Sequence, residues 1–303
     1  MNRPRFSVWP SPQRDWNELR ELAAWADRGD WHCVWFADHF MPNTEDGSVA
    51  DGPVLECWSA IAALAAVTER VRLGSLVSPT TVRHPAVLAN TAATIDRVSN
   101  GRLTLGLGAG WQVNEHRAYG FDLLEPRSRV DRFEEAILIV AGLLAGGRFD
   151  FVGEHFRIVD APCDPRPVQD PLPLMVGTGG PRMLRITVGH AHEWNAWGTP
   201  ETTAPLVDRV DAACAAGGRD PATLHRSVQA LFFLVDDPDT AERIRAVAPP
   251  DRSVIGDASH IRAVIERYVA QGFDEIIVPD FVLGDTAEQR RAGYERFHEA
   301  VIA

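Results

Sequence analysis

Val71-Arg72-Leu73-Gly74-Ser75-Leu76-Val77 is a short apolar run, Ala86 to Val98 continues with helical spacing, and Leu103-Thr104-Leu105-Gly106-Leu107 is a second apolar run. Short apolar runs bounded by Gly, Pro and Asn read as buried strands, and the longer stretch between them reads as an amphipathic helix. A strand–helix–strand unit predicts parallel strands joined by a right-handed crossover. The unit repeats in both directions. Upstream lie a strand at Phe6-Ser7-Val8-Trp9 and a helix from Glu18 to Asp27, whose Leu19, Leu22, Ala23 and Ala26 share one face. The strand Cys33 to Ala37 and the helix Leu55 to Val67 come next. Downstream, after a longer loop, a helix from Arg129 to Leu144 precedes strands at Leu172 to Val176, Trp194 to Trp197, Val228 to Val235 and Glu275 to Val278. Helices at Pro181 to Val188, Thr203 to Ala216, Ile261 to Gln271 and Ala287 to Ile302 separate and close them. A doubly wound sheet has the same alternation, but eight regular units favour a single (β/α)8 TIM barrel over residues 1–303. The Gly/Pro-rich segment 146–170 alternates weakly through Phe149, Phe151, Phe156 and Ile158, and is expected to be an inserted hairpin.

Composition narrows the function classes. The chain has 303 residues, 45% hydrophobic and 24% charged, as a globular α/β protein does. Its net charge of −12 would repel nucleic acid and anionic membrane, so neither is an expected partner. No apolar run reaches the roughly 18–20 residues of a membrane span. The basic start at Met1 to Phe6 lacks an apolar signal core, which makes the cytoplasm the expected compartment. Cys33, Cys57, Cys163 and Cys214 form no C-x-x-C pair, which speaks against disulfides and structural zinc. No H-E-x-x-H occurs either, and no metal site is expected. All 30 basic residues are arginine, which removes lysine Schiff-base chemistry and a P-loop lysine.

A barrel places chemistry at the C-terminal ends of its strands. The second strand ends in Asp38-His39-Phe40, a carboxylate beside an imidazole that can handle a proton or simply bond loop backbone. The third ends in Gly74 to Pro79, small enough to let a flat ring approach the backbone or to turn a loop. The fourth runs into Gly106-Leu107-Gly108-Ala109-Gly110-Trp111, with Asn114-Glu115-His116 close behind. This is not the dinucleotide fingerprint, since Trp111 stands where its last glycine belongs. Val176-Gly177-Thr178-Gly179-Gly180-Pro181-Arg182 opens a helix with free amides, and Arg182 is expected to add charge, so phosphate binding is favoured over a plain turn. Trp9, Trp35, Phe40, Trp58, Trp111 and Phe233 are candidates to wall an apolar substrate pocket; Trp9 and Trp111, at strand ends, lead them.

In this order, Phe36 to His39, Leu73 to Thr80, Gly106 to His116 with Tyr119-Gly120, Ala161 to Val168, Val176 to Arg182 and Trp194-Asn195 resemble the luciferase-like monooxygenase superfamily. They most resemble its branch of oxidoreductases that use coenzyme F420, a 5-deazaflavin. The resemblance implies a homodimer and a small-molecule substrate. It implies Asp38 and His39 beside the ring, with His39 handling the proton near the reacting carbon and Asp38 supporting it. Ser75 and Leu76 match the place where the family often has a cis non-proline peptide backing the ring. Gly108, Ala109 and Asn114 would line the cofactor's middle portion, and Gly177, Thr178, Gly179, Gly180 and Pro181 would hold its phosphate. Trp9, Phe40, Trp111 and His116 are the expected substrate-pocket residues. Two departures stand out. Ala191-His192-Glu193 replaces the family's usual small-Asp-Gly run, and Trp111 stands where the family's sugar dehydrogenases carry glutamate, which makes a sugar phosphate a less expected substrate. Hydride transfer on F420 is thus the leading expectation. Its rivals are a two-component monooxygenase using FMN with a separate reductase, and a barrel that binds a ligand without turnover.

Overall fold

Alternate residues of a strand face opposite ways, so a closed parallel barrel sorts each strand into an inner and an outer row. The computed structural model describes residues 3–303. In chain order its strands are β1 (Arg5–Trp9), β2 (Cys33–Phe36), β3 (Arg72–Ser75), β4 (Ser78–Pro79), β5 (Leu103–Gly108), β6 (Arg148–Val152) and β7 (Arg157–Pro162). They continue as β8 (Leu174–Gly177), β9 (Glu193–Trp197), β10 (His225–Gln229), β11 (Leu231–Leu234), β12 (Ser253–Gly256) and β13 (Glu275–Pro279). The helices are α1 (Trp16–Arg28), α2 (Cys57–Val67), α3 (Pro85–Val98), α4 (Val113–Tyr119) and α5 (Pro126–Leu144), then α6 (Pro181–His190), α7 (Pro200–Ala216), α8 (Pro238–Arg245), α9 (Ala258–Ala270) and α10 (Ala287–Phe297). Eight parallel strands run around the barrel in the order β1, β2, β3, β5, β8, β9, β10, β13, and β13 returns to β1. The fold is a (β/α)8 barrel, with β4 extending the mouth beside β5.

Helix boundaries follow local chemistry. Asp15 caps α1 by accepting from the amides of Asn17 and Glu18 at 2.8 and 3.2 Å. Proline opens α3, α5, α6, α7 and α8, where its missing N–H has no intrahelical partner to lose. The apolar helix faces pack on the outer row of the barrel, including Phe6, Val8, Val34, Phe36, Ile276 and Val278.

Two elements depart from the sequence reading. Val228 to Val235 is not one strand: β10 stays in the barrel, while β11 turns out after Ala230 and pairs with β12 in a separate parallel sheet. An unbroken apolar run hides such a turn, because both halves are buried. The loop after β5 contains α4, which ends on Gly120 in the left-handed region at φ 74°. Segment 146–170 contains the antiparallel pair β6 and β7, which packs against α5.

The inner row is stacked in levels. At the floor, Ser7 and the Trp35 indole both donate to Glu275 Oε1, the latter at 2.8 Å. His225 lies between Asp274 and Glu275, 3.0 and 3.3 Å from their carboxylate oxygens. Glu193, His225 and Glu275 bring potential ligand atoms within 4.8 Å of one another, but His225 already pairs with Asp274 and Glu275. Above the floor, Cys33, Trp35, Met175 and Ile277 form an apolar plug. Gly74 is required there, since a Cβ at that position would enter the Trp35 ring. Gly106 is required beside it, because a Cβ would overlap the Ser75 carbonyl.

The floor makes stability depend on pH. Burial by itself lowers the pKa of His225, but hydrogen bonds to Asp274 and Glu275 outweigh it and raise the value to about 9. The charged imidazole therefore contributes stability that is complete below its ordinary 6.5 and is lost as pH rises through about 9. The Tm should fall measurably between pH 7 and 10, and His225→Gln should flatten that limb while lowering the Tm at pH 7. An unchanged slope in the variant would place the pH dependence elsewhere.

Candidate active site

Above the plug, the C-terminal ends of the strands surround a cavity of about 900 Å³. One wall is nearly flat backbone and small side chains: Leu76 and Val77 after β3, Gly108 and Ala109 at β5, and Gly177 at the end of β8. The Leu76-Val77 peptide is cis. This lies one bond beyond the Ser75-Leu76 link anticipated from the sequence. The shift leaves Leu76 on the cavity wall and turns Ser75 away. The Ser75 hydroxyl donates to the Gly106 carbonyl at 2.9 Å and accepts from the Gly106 amide at 3.0 Å, joining β3 to β5. Gly108 has to be glycine, since a Cβ would stand 2.6 Å from the Val77 Cγ2.

His39 is on the cavity wall, 3.0 Å through Nδ1 from Glu115 Oε1. Glu115 Oε2 accepts from the Phe40 amide at 2.9 Å, and the carboxylate is almost fully buried. A carboxylate only accepts, so Nδ1 carries the proton and Nε2 is left to exchange one with a ligand. Trp111 packs edge-on against the imidazole, centroids 5.5 Å apart. Asp38 does not reach His39. Adjacent residues leave the chain on opposite sides, and Asp38 points with Val34 and Phe36 away from the barrel interior, where Oδ2 accepts from Ser78 at 2.7 Å and from Arg83. Burial pushes its carboxyl up despite the Arg83 guanidinium beside it, and Oδ1 has no hydrogen-bond partner.

The sequence profile of luciferase-like monooxygenases matches residues 2–299. The chain belongs to that family. It is 32% identical over 239 residues to an F420-dependent glucose-6-phosphate dehydrogenase of Kineococcus radiotolerans, a match covering 77% of this chain and 68% of the relative. It is 30% identical over 222 residues to an F420-dependent hydroxymycolic acid dehydrogenase of Mycobacterium tuberculosis, covering 72% of this chain and 59% of the relative. Among solved structures, an F420-dependent secondary alcohol dehydrogenase bound to an F420–acetone adduct superposes with a TM-score of 0.84. That superposition covers 99% of both chains at 18% identity, a likeness of fold.

The remaining anticipated residues divide. Trp9, Trp111, Thr178 and Gly179 line the cavity with those already named, whereas Gly180 and Pro181 lie behind it as the N-cap and first residue of α6. That N-cap makes no side-chain capping bond, so the first-turn amides of Arg182 and Met183 are available. The Arg182 side chain turns away to Asp131 and Glu134 of α5 and adds no charge at the glycines. Asn114 is outside the cavity wall: its amide group donates to the Pro42 and Ser48 carbonyls at 2.9 and 3.1 Å and holds that loop. His116 is buried between Thr81 Oγ1 and the Gln112 carbonyl, at 2.7 and 2.6 Å. Phe40 packs on Tyr119 and Phe121 outside the cavity. Trp35 belongs to the plug, Trp58 donates to Ser78 at 2.9 Å, and Phe233 lies in β11.

Several lining residues had no role in the sequence reading: Glu115, Asn195, Trp197, Gln229 and Phe281. Asn195 Nδ2 donates to Gln229 Oε1 at 2.7 Å and to Ser227 Oγ at 2.9 Å. The pair still presents one acceptor, Asn195 Oδ1, and one donor, Gln229 Nε2, in the cavity lining. The period of two along β9 and β10 was the available signal, since it sets Asn195 and Gln229 in the inner row.

Glu115→Gln tests the dyad. A Gln amide that accepts from Phe40 turns its NH₂ toward His39 and forces the imidazole proton onto Nε2. If His39 exchanges a proton during turnover, kcat should drop by about 100-fold or more, while the protein stays folded and keeps its ligand affinity. A kcat within about threefold of the parent would remove Glu115 from the proton path.

Proposed function

We propose that the chain is an F420-dependent oxidoreductase that transfers a hydride between the deazaflavin and a small organic substrate, with His39 handling the accompanying proton. The observation that carries this reading is the His39–Glu115 dyad on the wall of a deep cavity whose adjoining wall is glycine-shaped. F420 supplies a carbon centre that gives or accepts hydride and reacts poorly with dioxygen. The residues present fit it. Leu76, Val77, Gly108, Ala109 and Gly177 leave a flat bed that extra Cβ atoms would crowd. Asn195 and Gln229 offer an acceptor and a donor for the edge of a ring carrying carbonyl and N–H groups. Thr178, Gly179 and the open first turn of α6 suit a phosphate, by amide and helix-dipole attraction.

The protein's part is positioning and proton transfer. Glu115 sets the tautomer of His39 and aligns its ring, Trp111 holds the ring from the side, and the imidazole gives its Nε2 proton to substrate oxygen during reduction. In the reverse direction it removes that proton. The relatives' names support the same cofactor. A homodimer, a cytoplasmic location and a separate reductase that recycles the cofactor belong to the same proposal. No helix among the described residues is long and apolar enough to cross a membrane.

Separate titrations with F420 and FMN, read by tryptophan fluorescence, test it. F420 should quench with tight saturation and FMN should not. His39→Ala should keep F420 affinity within a few-fold while turnover falls by about 100-fold or more. Tight FMN binding in place of F420 would convert the protein to a two-component monooxygenase, and failure of both would leave a barrel that binds some other ligand.

A further inference from the structure

Opposite the flat bed, the cavity has a second and different wall. Trp9, Trp197 and Phe281, from β1, the end of β9 and the segment after β13, meet there as an aromatic corner. The Trp9 ring lies 5.2 Å from Trp197, near perpendicular, and 4.9 Å from Phe281, tilted. Trp9 is buried, yet Trp197 and Phe281 remain 37% and 38% exposed beside the cavity. Met41, Val54 and Leu206 add apolar area elsewhere in the cavity lining. Clustered aromatic faces left open in a concave site mark where an apolar ligand gains most from leaving water.

Charge points the same way. Among the described residues, only three ionisable side chains line the cavity: His39, Glu115 and Arg252. Glu115 is bound to His39 and to the Phe40 amide. The Arg252 guanidinium rests over the Trp197 ring, 5.5 Å from its centroid, with Nε 3.4 Å from Asp251. A phosphate or carboxylate on the substrate would thus be desolvated against rings, facing one cation that already has partners. A neutral ligand bears no such cost.

Resting on the hydride-transfer reading, we propose that the substrate is a neutral, ring-bearing ketone or the matching secondary alcohol, seated against Trp9, Trp197 and Phe281. It would not be a sugar phosphate, although relatives of this chain carry that name. In reduction the carbonyl carbon accepts hydride from the reduced deazaflavin and the oxygen accepts the His39 Nε2 proton. One hydride, carrying two electrons to the carbon, and one proton to the oxygen convert C=O to CH–OH; the deazaflavin is left oxidised, and solvent restores the proton to His39.

The test follows oxidation of reduced F420 by absorbance with 2-tetralone, acetone and glucose 6-phosphate lactone, and reduction of F420 with 2-tetralol and glucose 6-phosphate. The ring compounds should show the highest kcat/KM, and the sugar phosphates no saturable rate. Trp197→Ala and Phe281→Ala should each cut the preference for 2-tetralone over acetone by about tenfold, through KM and not kcat. Turnover of glucose 6-phosphate at or above the ring compounds, or a preference for 2-tetralone unmoved by both substitutions, would overturn the proposal. If F420 itself fails to bind, the hydride-transfer reading has failed first, and the binding titration above separates that case.

Discussion

Closure of the barrel by the β13–β1 pairing is the constraint on which everything else depends. Once every strand has two neighbours, no strand can slip by one residue without turning its whole inner row outward. The register that sets Glu193 beside His225 therefore also sets Asn195 beside Ser227 and Trp197 beside Gln229. Floor, plug and mouth are three readings of the same rows. The floor shows what such a constraint demands energetically. Glu193 and Glu275 are drawn into the barrel and must find cationic or hydroxyl partners, because an unpaired buried charge costs several kcal/mol. Burial pushes the Glu193 carboxyl up, whereas Glu275, held by His225 and Ser7 against the same penalty, is brought down to about 2. Neighbouring carboxylates thus part according to the partners each strand register supplies.

At the mouth the same rows produce an asymmetry. The β5 and β8 side offers glycines and backbone; the β1, β9 and β13 side offers indole and phenyl rings. A large flat cofactor needs the first kind of wall, because each Cβ in its plane would hold it off by an ångström or more. A substrate lying on such a cofactor needs the second, since rings recognise apolar area with little side-chain entropy to lose. His39 comes from β2, between the two sides. Its position follows from strand order alone.

Much of this was legible in the sequence. Strand–helix alternation identified the barrel, and rules for strand ends pointed to His39, Gly108 and Gly177 because these depend on short-range pattern. What escaped depends on long-range placement. Glu115 lies 76 residues after His39, on a helix hidden in what reads as a loop, and nothing local says that its carboxylate returns to the second strand. Arg182 has the right position to help an anion, but two acidic residues of α5 capture it. Asn114 and His116 have suitable chemistry, yet the helix that carries Glu115 inward aims them at the loop carbonyls and at Thr81. Fold follows from periodicity; the direction of one side chain in a loop does not.

Asp38 shows how a residue outside the cavity still governs it. Its carboxylate holds Arg83, and Arg83 lies over the Phe40 ring, 5.4 Å from the centroid. From the other side, Glu115 holds the Phe40 amide and the His39 ring together. Two acidic groups of different origin therefore bracket the His39-Phe40 pair, one through an arginine and an aromatic face, the other directly. Charge on each has a distinct consequence. Glu115 gives His39 its acceptor, while Asp38 anchors Arg83 behind the imidazole. Burial raises the Asp38 carboxyl and leaves one oxygen unpartnered, whereas the hydrogen bonds and the arginine bring Glu56, the other anchor that Arg83 bridges, down despite its own burial. The imidazole is thus held in place by a network that includes a carboxylate which never touches it.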